Sequence, residues 1–204
     1  MTNKYVSEFL SLRCSGDILN VVNPIGNKAQ KEITESMAIV KEVKKIALKH
    51  PMEYTLYDFC AGNALTSIIS VFVLPIKEAI AIDKLSRKRN WHLAKRFSYI
   101  FKDINKFDIS KIGEKSIIIG VHACTNLSKR IIEIYLQSKA EYLILMPCCI
   151  GQFQSRSPSY IGEKIGKYIE WVWYLSEMCN GKFKVDSDII SPKNGIIVAK
   201  KEDK

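Results

Sequence analysis

No apolar run in this 204-residue sequence reaches the roughly 18 residues that a membrane-spanning helix requires. The N-terminal residues lead into no apolar segment of the kind found in secretion signals. Internal repeats and low-complexity tracts are also missing, and 47% hydrophobic with 25% charged residues is typical of one globular domain. These absences predict a cytoplasmic protein with no membrane partner.

The six cysteines include no C-x-x-C pair with matching partners, so their spacing predicts no metal site. A disulfide framework is also not expected in a chain of this size without a secretion signal. Reduced thiols are therefore the expectation, with Cys60, Cys124 and the pair Cys148 and Cys149 placed at predicted strand ends.

Acidic residues are few relative to basic ones, since 21 Asp and Glu against 31 Lys and Arg give a net charge of +10. Such an excess favours an anionic partner, and nucleic acid is the commonest. Abundant lysine and isoleucine also fit an AT-biased genome, and a basic helix can simply be a solvated one, so the charge alone leaves the partner open. The densest basic cluster falls on a helix predicted at 85–96 and comprises Lys84, Arg87, Lys88, Arg89, Lys95 and Arg96.

Strand-like and helical patterns alternate along the chain. Strands are predicted at 54–59, 79–83, 98–103, 116–121, 141–146, 183–190 and 195–200. Helices are predicted at 28–49, 64–74, 85–96, 127–138 and 160–178. Strands that alternate with helices of this length indicate parallel pairing, with helices on both faces of the sheet.

The link 191–195, Ser-Pro-Lys-Asn-Gly, is too short for a crossover helix and indicates a turn, so the last two strands are expected to form an antiparallel hairpin. The predicted fold is therefore α/β, with a Rossmann-like seven-stranded mixed sheet that is mainly parallel. A single domain is expected over 1–204, with a helical lead at 1–50 and the Rossmann-like core at 51–204.

The stretch 54–64, Tyr-Thr-Leu-Tyr-Asp-Phe-Cys-Ala-Gly-Asn-Ala, joins a strand-like run to a helical pattern that starts at Leu65. Small residues in such a turn let the backbone approach a ligand, and the following helix offers unpaired N–H groups. Asp83 ends the next strand, 21 residues after Gly62, close to the spacing of about 20 at which a carboxylate meets a ribose hydroxyl. These two strand ends predict a cofactor that carries adenosine.

The segment Asp58-Phe-Cys-Ala-Gly-Asn-Ala64 resembles the first motif of class I S-adenosylmethionine-dependent methyltransferases. Asp83 resembles the acidic residue after their second strand, and Lys102-Asp103-Ile104 resembles their adenine-contacting motif. The predicted final hairpin is similar to the end of their seven-stranded sheet. The resemblance covers roughly residues 28–200 and implies a methyltransferase domain with S-adenosylmethionine as cofactor.

A narrower similarity involves Gly120-Val-His-Ala-Cys-Thr-Asn-Leu127 and Met146-Pro-Cys-Cys149. These segments resemble the His-x-Cys-Gly and Cys-Cys-His motifs of a group that includes the Trm13-type tRNA ribose 2′-O-methyltransferases. Thr125 and Ile150 depart from those motifs, and Ala64 stands where class I enzymes usually have a glycine. The zinc-finger modules of the tRNA enzymes have no counterpart in this sequence.

The resemblance implies roles for the residues that match it. Gly62 would let the backbone approach the methionine and ribose, and Asp83 would accept from both ribose hydroxyls. Asp103 would accept from the adenine amine, with Phe107 and Asp108 as alternatives. Helix capping is the alternative role for Asp58 and Asp83. The residues predicted to bind the cofactor are Asp58, Cys60, Ala61, Gly62, Asp83, Lys84, Asp103, Ile104 and His122.

His122 follows the fourth strand, where this fold brings residues to the point of methyl transfer, and it is the predicted catalytic residue. A neutral histidine can take the proton of a hydroxyl acceptor. A structural hydrogen-bonding role is the alternative. The residues predicted to bind the substrate are Cys124, Asn126, Pro147, Cys148, Cys149 and Arg156.

The predicted function is methyl transfer to RNA, at a tRNA ribose or base, in view of the charge and the narrower resemblance. A small metabolite or a protein side chain stays open as the acceptor. Two other classes are alternatives. One is a nucleic-acid-binding protein that retains the fold without turnover. The other is a nicotinamide-dependent oxidoreductase, for which the G-x-G-x-x-G set is missing.

Overall fold

The computed structural model describes residues 3–23, 28–85, 87–154 and 164–201. Its strands are β1 Thr55–Phe59, β2 Glu78–Asp83, β3 Phe97–Phe101, β4 Ser116–Val121, β5 Tyr142–Met146, β6 Lys182–Val185 and β7 Gly195–Lys200. They form one sheet in the order β3-β2-β1-β4-β5-β7-β6.

Strands β1 to β5 pair in parallel, whereas β7 runs antiparallel to both β5 and β6. This arrangement confirms the predicted α/β fold, a Rossmann-like mixed sheet with a C-terminal antiparallel pair. The central parallel strands are apolar along most of their length because helices cover both faces. Since parallel strands end at the same edge, the residues that follow β1, β2, β4 and β5 come together there.

The helices are α1 Lys4–Ser11, α2 Ser15–Val22, α3 Ala29–Ala47, α4 Leu65–Val73, α5 Asn126–Gln137 and α6 Lys167–Met178. Helices α1 to α4 share one apolar cluster with Leu56 and Ile117, on one face of the sheet. Helices α5 and α6 pack on the other face with Tyr57 and Ile118, the next residues along the same strands. Among the described helices, none combines the length and apolarity that crossing a bilayer takes.

Local sequence explains where several helices begin and end. Asn3 caps α1, because its side-chain oxygen accepts hydrogen bonds from the backbone N–H of Tyr5 and Val6 at 2.9 and 3.3 Å. Helix α2 ends at Asn23, which adopts the left-handed conformation that asparagine tolerates. The structure confirms, as α3, α4 and α5, the helices predicted at 28–49, 64–74 and 127–138.

The helix predicted at 85–96 is wrong. In the described part of this segment, only Trp91–Leu93 forms a short 3-10 turn. The segment is rich in basic side chains and its two leucines are both exposed, so a helix here would have no apolar stripe to bury. Helix α2 reaches this edge of the sheet instead, and its Val21 carbonyl accepts a hydrogen bond from the backbone N–H of Asn90 at 3.0 Å.

Two further elements are shorter than predicted. The strand predicted at 183–190 is β6, which ends early because Asp186 starts a turn and its side chain accepts from the backbone N–H of Asp188 at 3.1 Å. The helix predicted at 160–178 corresponds to α6 in its second part. Residues 155–163 lie outside the described residues.

Candidate active site

A cavity of about 750 Å³ opens at the carboxyl edge of the parallel strands. Its walls come from the first turns of α3, the β1–α4 turn, the end of β4 and the irregular segment after β2. The volume is within the usual range for small-molecule sites. Four of the residues predicted to bind the cofactor line this cavity, namely Cys60, Ala61, Gly62 and His122.

The β1–α4 turn has a left-handed backbone at three positions, since φ is 60° at Cys60, 54° at Gly62 and 57° at Ala64. For the two residues with side chains this conformation costs roughly 1–2 kcal/mol each. Such strain collects at functional sites, where the surrounding structure holds it in place. A side chain built at Gly62 would meet no atom within 4 Å, so the turn presents bare backbone to open space.

Asp83 fixes this turn from the neighbouring strand. Its carboxylate accepts hydrogen bonds from the backbone N–H of Gly62 at 2.9 Å and of Leu85 at 2.8 Å. The hydroxyl of Tyr99, on β3, contacts the carbonyl oxygens of the same two residues at 3.1 and 3.2 Å. The structure thus brings Asp83 and Gly62 together and adds Tyr99, which carries no sequence signal beyond its place in a strand.

Asp58 lies inside the protein and does not line the cavity. The Ser67 hydroxyl, on α4, donates a hydrogen bond to its carboxylate at 2.7 Å. Burial raises the pKa of Asp58 to about 7; the Ser67 bond opposes this and the charge of Asp83 adds to it. Asp58 therefore joins β1 to α4 directly beneath the turn.

Replacing Asp58 by asparagine is expected to change how stability depends on pH. Because the folded-state pKa lies above the unfolded value, the stability from this group is fully present below about pH 4 and is lost as the pH rises through about 7. Relative to wild type, Asp58→Asn should gain about 3 kcal/mol between roughly pH 5 and pH 8, measured by denaturant unfolding. An unchanged difference between the two proteins across this range would contradict the assignment.

The other residues predicted to bind the cofactor lie outside the cavity wall. Asp103 accepts a hydrogen bond from the backbone N–H of Asn105 at 2.8 Å and so caps a short 3-10 turn. Ile104 is buried and Lys84 is exposed. Burial raises the pKa of the Cys60 thiol to about 12, and the charges of the three predicted carboxylates, at 58, 83 and 103, add to this.

His122 contacts a residue that the sequence prediction missed. Its Nε2 forms an ion-pair contact with a carboxylate oxygen of Glu35, which comes from α3 and is only 1% exposed. Lys31 approaches the other carboxylate oxygen at 3.8 Å. His122 itself has a left-handed backbone, with φ of 60°. The one sequence signal for Glu35 is a charged residue one turn before Ile39, on the apolar face of α3.

The residues predicted to bind the substrate follow β4 and β5. Asn126 starts α5, and Pro147 is buried, with its carbonyl accepting from the Tyr168 hydroxyl at 2.9 Å. Arg156 lies outside the described residues. The remaining three are thiols that come together at this edge of the sheet, namely Cys124, Cys148 and Cys149.

A mainly parallel seven-stranded sheet, a bare turn after β1 and a carboxylate ending β2 agree with the resemblance to class I S-adenosylmethionine-dependent methyltransferases. The sequence model of a family described as a methyltransferase domain matches residues 28–156, more than half of the chain. The chain therefore belongs to that family. A search among curated proteins finds no match.

Solved methyltransferases share the fold at low sequence identity. Magnesium protoporphyrin IX methyltransferase from Synechocystis PCC 6803, with bound S-adenosylhomocysteine, is 12% identical over 95% of each chain, with a TM-score of 0.52. The CurJ carbon methyltransferase is 17% identical over 91% of this chain and 58% of its own, with a TM-score of 0.55. The ribosomal protein L11 methylase of Lactobacillus delbrueckii subsp. bulgaricus is 14% identical over 87% of this chain and 82% of its own, with a TM-score of 0.53.

Family and fold together make the protein a methyltransferase whose cofactor is S-adenosylmethionine. They select a transferase over the nicotinamide-dependent oxidoreductase that the sequence leaves as an alternative. The structural likenesses establish the fold alone, because the identities are low. These comparisons do not identify the methyl acceptor.

Proposed function

We propose that this methyltransferase modifies RNA, with a tRNA ribose or base as the acceptor. One observation carries the proposal: a histidine–glutamate pair and two arginines, Arg87 and Arg89, line the same cavity. The pair suits removal of a proton, and guanidinium groups suit phosphate. The similarity of 120–127 and 146–149 to the Trm13-type motifs supports the same substrate class.

The residues around the β1–α4 turn fit the cofactor. Gly62 has open space beside its backbone, and each oxygen of Asp83 keeps a lone pair for a ribose hydroxyl. Asp103 and Ile104 follow β3, where they suit the adenine. When bound, the cofactor supplies a methyl group already activated by its positive sulfur.

His122 is placed to accept a proton from a hydroxyl. Nε2 contacts the Glu35 carboxylate, and in the tautomer with the hydrogen on Nε2 the other ring nitrogen, Nδ1, presents a lone pair. Within the described part of the chain, no group hydrogen-bonds Nδ1. As the acceptor oxygen gains the methyl group, its proton passes to Nδ1, and Glu35 stabilises the resulting imidazolium. Holding the oxygen in line for this step contributes on the order of 7–11 kcal/mol.

The basic groups favour RNA over a small neutral acceptor. The net charge is +10, and Arg87, Arg89 and Lys28 line the cavity from two sides. Arg89 is held by a hydrogen bond to the Asn63 side chain at 3.0 Å. Arg96 does not belong to this set, because its guanidinium group binds backbone carbonyl oxygens. The segment predicted as a basic helix thus directs part of its charge into the cavity.

The test is transfer of a labelled methyl group from S-adenosylmethionine into fractionated RNA, protein and small-molecule extracts. We expect the label in RNA, and digestion to nucleosides identifies the modified atom. Label confined to protein or to small molecules contradicts the proposal. Salt-dependent RNA binding without any methyl transfer would favour the non-enzymatic binding protein instead.

The double substitution of Arg87→Ala and Arg89→Ala is expected to weaken RNA binding and to reduce the slope of log affinity against log salt by about 2. The matched control, Lys139→Ala with Lys182→Ala, removes the same charge at the opposite edge of the sheet and should leave the slope nearly unchanged. Fluorescence titration over a range of salt concentrations measures both. Equal slopes for the two double variants would show that the arginines do not meet phosphate.

A further inference from the structure

Three thiol groups from two loops meet at the carboxyl edge of the sheet. Cys124 Sγ lies 2.8 Å from Cys148 Sγ and 3.3 Å from Cys149 Sγ, and the last two sulfurs are 3.5 Å apart. The six cysteines are all described, and each is a free thiol. Cys124 and Cys148 are half-buried and Cys149 is exposed, so solvent reaches the cluster.

The surrounding structure holds both loops. The backbone N–H of His122 donates to the last carbonyl of β5 at 2.9 Å, which joins the loops where they begin. The Pro147 carbonyl accepts from the Tyr168 hydroxyl at 2.9 Å. Gly151 permits close packing, because a side chain there would approach the Trp171 ring to 2.7 Å. The thiols are therefore positioned by fixed backbone.

We propose that Cys124, Cys148 and Cys149 form a binding site for Zn²⁺. Cysteine sulfur is a preferred zinc ligand, and three protein ligands leave the fourth tetrahedral position to water or another molecule. A set of three sulfurs disfavours Mg²⁺ and Ca²⁺, which take oxygen ligands. Each thiol gives up its proton to solvent as its sulfur binds, and the metal stays Zn²⁺ throughout. The site does not depend on the identity of the methyl acceptor.

Two of the three sulfur–sulfur distances, 3.3 and 3.5 Å, suit a shared metal better than a disulfide, and the third, 2.8 Å, lies between the two geometries. Sulfurs bound to one tetrahedral zinc at about 2.3 Å lie about 3.8 Å apart, so the observed pairs need to separate by about 1 Å or less. A disulfide needs two sulfurs at about 2.05 Å and leaves the third without a role. The sequence predicts no metal site here because two ligands are adjacent and the third is on another loop.

The test uses the full chain, purified with reductant and without chelator. Elemental analysis is expected to find about one Zn²⁺ per chain. After the zinc is removed, addition of Co²⁺ should give sulfur-to-cobalt charge-transfer absorption together with the visible bands of a tetrahedral site. The substitutions Cys124→Ser, Cys148→Ser and Cys149→Ser should each weaken metal binding at least tenfold, since losing even an outer partner of a ligand costs about 10–100-fold.

Cys14→Ser is the matched control. Cys14 is the N-cap residue of α2, where serine is preferred, so fold and metal content should be unchanged. Thermal unfolding of each variant distinguishes loss of the metal from loss of the fold. If a variant does not fold, the cobalt spectrum of the wild-type protein tests the site on its own. Wild-type protein that binds neither metal overturns the proposal. So does a folded Cys124→Ser variant with unchanged affinity, or a Cys124–Cys148 disulfide in the reduced preparation.

Discussion

Methyl transfer to RNA is expected to slow by about 10²- to 10⁴-fold when His122 is replaced by alanine, the usual contribution of a general base. The loss should fall mainly on kcat, because the turn around Gly62 that suits the cofactor is left intact. Glu35→Gln should have a smaller effect, since it removes only the group that orients the imidazole. Adding Glu35→Gln to His122→Ala should cost little more, as expected of two residues acting as one unit.

His50 provides the control for this experiment. It also faces a glutamate, Glu53, with 3.6 Å between His50 Nδ1 and the carboxylate, but it precedes β1 at the opposite edge of the sheet. His50→Ala should therefore leave the transfer of label unchanged. A His122→Ala protein that keeps the wild-type kcat would rule out proton removal by this residue and leave it the structural role that the sequence also allows.

Replacing Asp83 by alanine is expected to raise the dissociation constant of S-adenosylhomocysteine by about 10- to 150-fold. This corresponds to about 1.5–3 kcal/mol for hydrogen bonds to a charged group. The variant loses the proposed acceptor for the ribose hydroxyls and also the two bonds that fix the backbone of Gly62 and Leu85. Isothermal titration calorimetry gives the affinity directly.

Two further variants isolate the ribose contribution. Glu114→Ala removes an exposed carboxylate that precedes β4 at the opposite edge of the sheet, and it should leave the affinity unchanged. Tyr99→Phe loosens the same turn without removing the ribose acceptor, so its effect should be smaller than that of Asp83→Ala. Cofactor affinity that is insensitive to Asp83→Ala would place the ribose elsewhere.

The sheet could be predicted from the sequence because its strands carry their own signal. Runs such as 117–121 and 142–146 lack charged and hydroxyl-bearing aliphatic residues, as expected of strands buried on both faces. The regular alternation also predicts a helix after β2, but basic side chains give that segment nothing to bury. Its real course depends on contact with α2, a partner far away in the chain that no local pattern encodes.

The residues of the candidate site also differ in how much local signal they carry in the sequence. The β1–α4 turn and Asp83 carry local signals, a run of small residues and an acidic strand end. Glu35 could not be found because its partner, His122, lies four strands later in the chain, and a charged residue on the apolar face of a helix gives no indication of which residue it contacts. The thiols form a group only after two loops close on each other, whereas spacing rules for metal ligands rely on short-range repeats.

In the proposed cofactor site, the two hydrogen bonds that hold the Gly62 backbone are expected to affect which nucleosides bind. Because both its N–H and its C=O are already engaged, this stretch of chain has little freedom left to lose when a ligand arrives, which avoids an ordering cost of about 1–2 kcal/mol per residue. The same rigidity prevents the turn around Gly62 from changing its conformation to fit a different ligand. We therefore expect a nucleoside whose sugar lacks one hydroxyl, or has another pucker, to bind less well, because the turn cannot change shape to fit it.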